Sequence, residues 1–360
     1  SDYIVSRFDS TSGLAGHLGD VLETGNTKTK WLLWLAMKVF GVGSNKYLTQ
    51  ALVNSTQFDN LESHIYQDLL NVDYSDAKFD QYYSERKQLI ARLPENLPEV
   101  SSYCTNVGRH GQNAVYYLTD ATENEEFTFM QLLDSYEWTE EELHKAVQHG
   151  FPELALYLRE FIFDPMNTKL PEKDASFREV LTDYFRRYKL QKVKNHIDDD
   201  FLKAVNTYAV ERPFYKLQPR SSIVSTMNKT NVQAYFFDAL GVEYLAYIQA
   251  KCEEYGLIYE ISIGHCELPS ITVKNKDFKH YFETKDIGDL DELKHHSQIY
   301  DYQTCAYPIH VFRELEIIDR ELRRIRAQLI QNNFDKAVIL SDHGASRLAV
   351  IYKHESGLPL

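Results

Sequence analysis

Cysteine is scarce in this chain. The 360 residues include four cysteines without any C-x-x-C spacing, namely Cys104, Cys252, Cys266 and Cys305. Disulfides form and persist in oxidising compartments, so this usage indicates a reducing one. A secretory signal is also lacking at the N-terminus. We therefore expect a cytoplasmic protein.

Long apolar runs and an excess of positive charge are missing as well. The most apolar stretch, Trp31 to Phe40, is too short to span a bilayer and contains Lys38. The net charge is −14. These absences argue against a membrane protein, and against a chain that binds nucleic acid or anionic membrane through its overall charge.

Local basic patches remain compatible with that charge. The densest one interleaves two tyrosines with five basic residues: Arg186, Arg187, Lys189, Lys192 and Lys194. Such a cluster can contact the phosphates of nucleic acid. An acidic run at 198–200 follows it directly. For that reason we favour a solvated helix face.

The chain divides by pattern into two parts. Its 43% hydrophobic and 26% charged residues are typical of a globular protein, and its length allows two or three domains. Residues 1–215 show helical periodicity and helix-start signals such as Thr139 before three glutamates. We predict a mainly helical N-terminal domain there. Pro213 and Pro219 indicate a linker.

Residues 216–360 alternate strand-like and helix-like stretches. This alternation predicts an α/β domain with a mostly parallel sheet and helices on both faces. The stretch 264–296 is polar and predicted to be irregular. Predicted strands cover 232–237, 257–263, 298–301, 337–341 and 348–352, and predicted helices cover 242–255 and 308–332.

Chemistry-bearing side chains follow the predicted strands. Asp238 ends the first strand, and Asp342 with His343 follows a later one. Ligands gather at the carboxyl ends of strands in open α/β sheets. Carboxylate and imidazole suit zinc or manganese, and Thr272 belongs to the same sheet edge. Spacing alone favours the structural alternative, because a strand-end Asp is often a helix cap and Asp-His pairs arise by chance.

Three segments carry a family resemblance. FFDALG, LPSITVKN and VILSDHG resemble, in that order, motifs of the alkaline phosphatase superfamily, and most of all its PglZ-domain branch. The resemblance covers roughly the last third of the chain. It implies an alkaline-phosphatase-like sheet in which Asp238, Asp342 and His343 bind one ion. It also implies that Thr272 is the nucleophile at that ion, and that Asn275 binds the phosphoryl oxygens.

A second ion is expected at a less regular position. Where the superfamily usually has Asp, three residues and His, this chain has Asp301 and Cys305. A cysteine thiolate can bind zinc, but a surface Asp and a buried Cys are an equal alternative. His310 is a further candidate. His354 is too close to the Asp-His pair to be the last ligand, so we expect a piece of a longer protein, truncated before this site is complete.

The resemblance implies a metal-dependent phosphohydrolase with a threonine nucleophile and zinc or manganese as its cofactor. The helical first half resembles, more loosely, the N-terminal part of PglZ proteins of the BREX phage-defence systems. This implies a phosphoester substrate and other defence proteins as partners, without a membrane. Two alternatives stay open: a catalytically incomplete scaffold or binding module, and a metal-dependent nuclease acting on nucleic acid.

Overall fold

A computed structural model describes residues 2–94, 98–163, 175–268, 270–295, 310–331 and 333–344. The chain forms two compact units. The first comprises Ser1–Tyr136 with His149–Phe151, and the second comprises Glu137–Gln148 with Pro152–Leu360. Within the described part of the chain, no helix has both the length and the apolar character needed to cross a bilayer.

The first unit is built from helices. Side-chain caps set some of their starts: Asn26, for example, accepts a hydrogen bond from the Thr29 N–H at 2.9 Å. The helix that begins there ends before Gly41, where the backbone takes a φ of 85°. The helices are α1 Asp2–Phe8, α2 Leu18–Thr24, α3 Thr27–Phe40, α4 Lys46–Asn54, α5 Phe58–Gln67, α6 Phe79–Ile90, α7 Pro98–Val107 and α8 Glu123–Ser135.

Helices also dominate the rest of the chain. The predicted start at Thr139 is confirmed, because its hydroxyl accepts the Glu142 N–H at 3.2 Å while Glu142 accepts the Thr139 N–H at 2.9 Å. The helices are α9 Glu140–Gly150, α10 Pro152–Leu158, α11 Ala175–Lys194, α12 Asp199–Glu211, α13 Arg220–Ser225, α14 Leu245–Glu254, α15 Asp289–His295 and α16 His310–Ile330.

A small parallel sheet lies in the second unit. Its strands are β1 Val232–Phe237, β2 Thr284–Ile287 and β3 Lys336–Leu340, in the order β2-β1-β3. β1 pairs with both neighbours in parallel, so the carboxyl ends of all three strands meet at one edge. The apolar sequence of β1 suits its central position, since such strands are buried on both faces. The predicted parallel sheet is thus confirmed in coarse form, as three strands among described residues that are mostly helical.

One predicted strand is wrong and one real strand was missed. Residues 257–263 form no strand. Ile263 packs into a hydrophobic cluster with helical residues such as Phe177 and Ala246, whereas Ile258 is exposed, so this segment covers helices instead of pairing with the sheet. The second strand, β2, lies instead inside the stretch predicted to be irregular. The predicted strands at 298–301 and 348–352 lie outside the described residues.

The compact units divide elsewhere than at the predicted boundary near residue 215. Helix α11 belongs to the second unit, where Phe177 and Leu181 share a hydrophobic cluster with Ala246 and Ile263. The segment around Pro219 also belongs to the second unit. It is bound there by a hydrogen bond from the Arg220 N–H to the His265 carbonyl at 3.1 Å.

The basic cluster on α11 is only partly a solvated face. Lys189 and Lys192 are buried, at 2% and 3% exposure. Lys192 binds Glu314 at 2.6 Å, and Lys189 donates to the Arg159 carbonyl. These two ammonium groups therefore serve the interior, and neither is available to nucleic acid.

Candidate metal centre

Two turns at the carboxyl edge of the sheet bring the predicted ligands together. Asp238 follows β1, and its N–H donates to the Ile287 carbonyl at 3.0 Å. Ala239 then has a φ of 61°, which reverses the chain. The turn after β3 approaches so closely that a Cβ on Gly344 would lie 3.2 Å from the Gly241 Cα. Glycine at both positions permits this approach.

Asp342 fastens the two turns to each other. Its carboxylate Oδ1 accepts the His343 N–H at 2.8 Å and the Ala239 N–H at 3.4 Å. Its other oxygen, Oδ2, lies 3.2 Å from His343 Nε2. The side chain is buried, so the carboxylate is fixed by the backbone of both turns.

Thr272 reaches this edge from a separate segment. It opens a short 3₁₀ helix, Thr272–Lys274, and its Oγ1 lies 3.0 Å from His343 Nε2. The same nitrogen lies 3.9 Å from Asp238 Oδ1. Ligand atoms of Asp238, Asp342 and His343 all fall within 4.8 Å of one another. Four residues predicted from the sequence thus converge.

The electrostatics of the site favour a cation. Burial, followed by the charges of Asp342 and Asp291, raises the pKa of the Asp238 carboxyl to about 6. Among the described residues, Asp238 Oδ1 and Asp342 Oδ2 are buried and accept no backbone N–H, and the nearest nitrogen to both is His343 Nε2, at 3.9 and 3.2 Å. Buried carboxylate oxygens with too few donors are unfavourable unless a cation binds them. Together with an imidazole they form a donor set that suits zinc or manganese.

Asn275 does not take the role expected from the resemblance. Its side chain is completely buried. The Oδ1 accepts the Glu267 N–H at 2.9 Å, and Nδ2 donates to the carbonyls of Glu267 and Ile271 at 3.1 and 3.0 Å. Both amide protons are therefore used within the loop. Asn275 shapes the loop that carries Thr272 and has no donor left for a phosphoryl group.

The predicted second ion cannot be followed in the same way. Asp301 and Cys305 lie outside the described residues. His310, the other candidate, is the first residue of α16 and is buried. Within the part of the chain that the structure describes, the one group of metal-type ligands is Asp238, Asp342 and His343.

Three further residues of the site were not found from the sequence. Asp291 on α15 adds negative charge near Asp238. Glu243 is buried, and its Oε2 lies 1.9 Å from where a Cβ on Gly241 would be, so that glycine leaves room for the carboxylate. Arg220 donates to the carbonyls of Ser341 and Asp342. Gly241 and Glu243 lie three and five residues after Asp238, so their position in the sequence could have indicated them. Arg220 lies at the end of the segment predicted to be a linker, and no local pattern indicated it.

Comparison with known family models gives a match over the first part of the chain. A family model described as Domain of unknown function (DUF7863) matches residues 1–136. This range coincides with most of the first compact unit and contains none of the metal-centre residues. No curated protein and no solved structure matches the chain. The resemblance to PglZ proteins therefore stays a prediction.

Proposed function

We propose that the chain is a metal-dependent phosphohydrolase whose nucleophile is Thr272. The observation that carries this proposal is the 3.0 Å separation between Thr272 Oγ1 and His343 Nε2, at a site where Asp238 and Asp342 also converge. A hydroxyl beside a metal-type donor set is the arrangement needed for nucleophilic attack on a phosphoester. We extend the proposal to the fold, as an alkaline-phosphatase-like sheet of which β1, β2 and β3 form part.

Asp238, Asp342 and His343 would hold the ion, which we propose to be zinc or manganese. A divalent cation there supplies Lewis acidity, lowering the pKa of the Thr272 hydroxyl and neutralising phosphoryl charge. Thr272 Oγ1 loses its proton to solvent and forms a bond to phosphorus as the bond to the leaving oxygen breaks. The leaving alcohol takes a proton from water. A second water then hydrolyses the phosphothreonine and restores Thr272.

Stabilisation of the equatorial oxygens needs a donor other than Asn275. Lys274 and Lys276 are exposed and lie two and four residues after Thr272. We assign them this role, since lysine binds phosphate as a point charge. The substrate is a phosphomonoester or a phosphodiester. A part in phage defence, with other defence proteins as partners, rests on the sequence resemblance alone.

Turnover of a chromogenic phosphodiester tests the nucleophile. Thr272→Ala should lower kcat by roughly a thousandfold or more, because the attacking oxygen is gone. Ser270→Ala removes an exposed hydroxyl two residues earlier and should keep kcat within about twofold of wild type. The same assay with a monoester distinguishes the two substrate classes. Equal activity of Thr272→Ala and wild type would remove Thr272 from the mechanism.

A second candidate is a scaffold or binding module that keeps this site without competent chemistry. The side-chain hydrogen bonds of Asn275 favour it, because they leave the expected phosphoryl donor occupied. Metal binding separates the two candidates first. If the metal-free protein takes up no zinc or manganese from an excess of either, the scaffold is favoured. A nuclease is the third possibility, and cleavage of an oligonucleotide under the same conditions tests it.

A further inference from the structure

The candidate metal centre depends on two segments that are distant in sequence. Thr272 lies on a loop, residues 270–277, and Asp342 and His343 lie on the turn after β3. Their side chains meet at the 3.0 Å contact between Thr272 and His343. A single hydrogen bond contributes only about 1 kcal/mol to stability, so further contacts between the two segments matter for their relative position.

Arg220 contacts both segments. Its Nη1 donates to the carbonyls of Ser341 and Asp342 at 3.3 and 3.1 Å. Its Nη2 binds Asp277 Oδ1, five residues after Thr272. The guanidinium carbon lies 5.4 Å from the centre of the Phe278 ring. One side chain therefore connects the backbone of the ligand turn to the loop of the nucleophile.

The backbone at Arg220 is itself held closely. Its N–H donates to the His265 carbonyl at 3.1 Å, and the His265 N–H donates to the Gln218 carbonyl at 3.0 Å. Gly264 packs against this segment so tightly that a Cβ there would lie 2.9 Å from the Arg220 nitrogen. The arginine thus projects from a fixed position, which a mobile surface side chain would not have.

We propose that Arg220 is a positioning residue that sets the separation between Thr272 and His343. This inference rests on the proposed function and adds to it a residue that acts through the ligand turn. Arginine suits the role because its planar fork donates to two carbonyls and a carboxylate at once. A lysine, as a single compact donor, cannot replace those bonds together. Asp277 fixes the orientation of the fork.

Three variants test the inference: Arg220→Met, Arg220→Lys and Asp277→Asn. Lys279→Met is the matched control, because Lys279 forms an ion pair with Asp286 at 2.5 Å near the same loop and has no described bond to the ligand turn. Kinetics use the chromogenic diester at saturating zinc. Arg220→Met should lower kcat by about 10- to 100-fold, the range for residues that orient metal ligands, with KM changed less than about threefold.

The two positioning residues should act as one unit. Arg220→Met combined with Asp277→Asn should reduce kcat little more than Arg220→Met alone, because both remove the same connection. Arg220→Lys should fall between wild type and Arg220→Met. Lys279→Met should stay within about twofold of wild type. A purely structural role would instead lower the free energy of unfolding of each variant and leave kcat of the folded protein near that of wild type.

Hydrogen exchange of the metal-free protein tests independently of catalysis whether Arg220 couples the two segments. In Arg220→Met and Asp277→Asn, peptides covering 270–277 and 336–344 should lose protection together, and Lys279→Met should leave the second peptide unchanged. If the two peptides respond independently, or neither responds, Arg220 does not couple the segments. A wild-type protein without turnover would overturn the proposed function. The exchange experiment would still test the role of Arg220, because it needs neither substrate nor metal.

Discussion

A buried ion pair in the first unit and the sheet edge of the second unit bury charge in opposite ways. In the first unit, Arg86 and Glu125 are fully buried and paired, with Nη2 of the arginine 2.9 Å from Glu125 Oε1. Arg86 Nε also donates to the Tyr66 carbonyl at 3.2 Å. Glu125 Oε2 accepts the N–H and the hydroxyl of Thr119 at 2.7 and 2.9 Å. This unit supplies both charges and the hydrogen bonds that satisfy them.

At the sheet edge of the second unit, carboxylates lie beside one another without forming a complete ion pair. Asp238 and Asp342 approach each other, and Asp291 adds to the same negative field. His343 Nε2 lies 3.9 Å from Asp238 Oδ1 and 3.2 Å from Asp342 Oδ2, so two buried oxygens share one imidazole nitrogen as their nearest donor atom among the described residues. The Arg220 guanidinium is nearby but is bound to the backbone carbonyls of the same turn and to Asp277.

The difference distinguishes a structural ion pair from a binding site. A buried pair whose hydrogen bonds are complete needs nothing from solution, and it loses stability when one partner is removed. A cluster of carboxylates without a matching cation is unfavourable by itself and becomes favourable when a cation binds. Perturbed carboxylates in such a setting are candidates for function.

The largest effect is expected from breaking the complete pair. Arg86→Met leaves the Glu125 charge buried and should lower the free energy of unfolding by about 3–5 kcal/mol. Lys87→Met is the control, because Lys87 pairs with Asp120 at 2.5 Å but is partly exposed, and it should change stability by about 0–1 kcal/mol. Urea unfolding measures both. Equal losses in the two variants would contradict the comparison.

The sequence predicted the elements that have a local signal better than those that depend on tertiary contacts. β1 and the Asp-His turn were found because an apolar run followed by a ligand is a local signal. β2 was missed because its sequence is TKDI, with one buried residue, so pairing with β1 decides its conformation. The orientation of Asn275 and the burial of Lys189 and Lys192 depend on tertiary contacts, which no local pattern records.

Lys189 offers a test of a buried cation in the second unit. Burial lowers its pKa from 10.5 to about 8. Between those values the unfolded chain still binds the proton that the folded chain has released, so stability rises with pH across this window. The total should be about 3 kcal/mol. Lys189→Met should lack this rise. Subtracting the stability profile of the variant from that of wild type removes the contribution of the tyrosines that titrate in the same pH range.

Urea unfolding of wild type and Lys189→Met at several pH values between 7 and 10.5 measures the difference. Wild type should gain on the variant as the pH increases. A flat difference would mean that Lys189 titrates alike in the folded and unfolded chain.

Addition of metal should convert the unfavourable cluster into a stable one. Zinc or manganese at roughly 100 times its dissociation constant should stabilise the folded chain by about 2.7 kcal/mol. Hydrogen exchange should show the gain in peptides covering 232–244 and 336–344, and little change in residues 1–136. Asp342→Asn keeps the oxygen that accepts the His343 N–H and should abolish the gain. Equal stabilisation of this variant would place the ion elsewhere.

The smallest effect concerns the raised pKa of Asp238 in the metal-free protein. Between the ordinary value of 3.8 and about 6, the folded chain holds a proton that the unfolded chain has released. Wild type should therefore lose stability relative to Asp238→Asn as the pH rises through this window. The change should be about 1 kcal/mol, since partial exposure screens the charge. Thermal unfolding at pH 4 to 6, with a chelator present, measures it. Saturating metal should reverse the sign of this pH dependence, because only the ionised wild-type carboxylate binds the cation strongly. The same pH dependence with and without metal would mean that Asp238 is not a ligand of the ion.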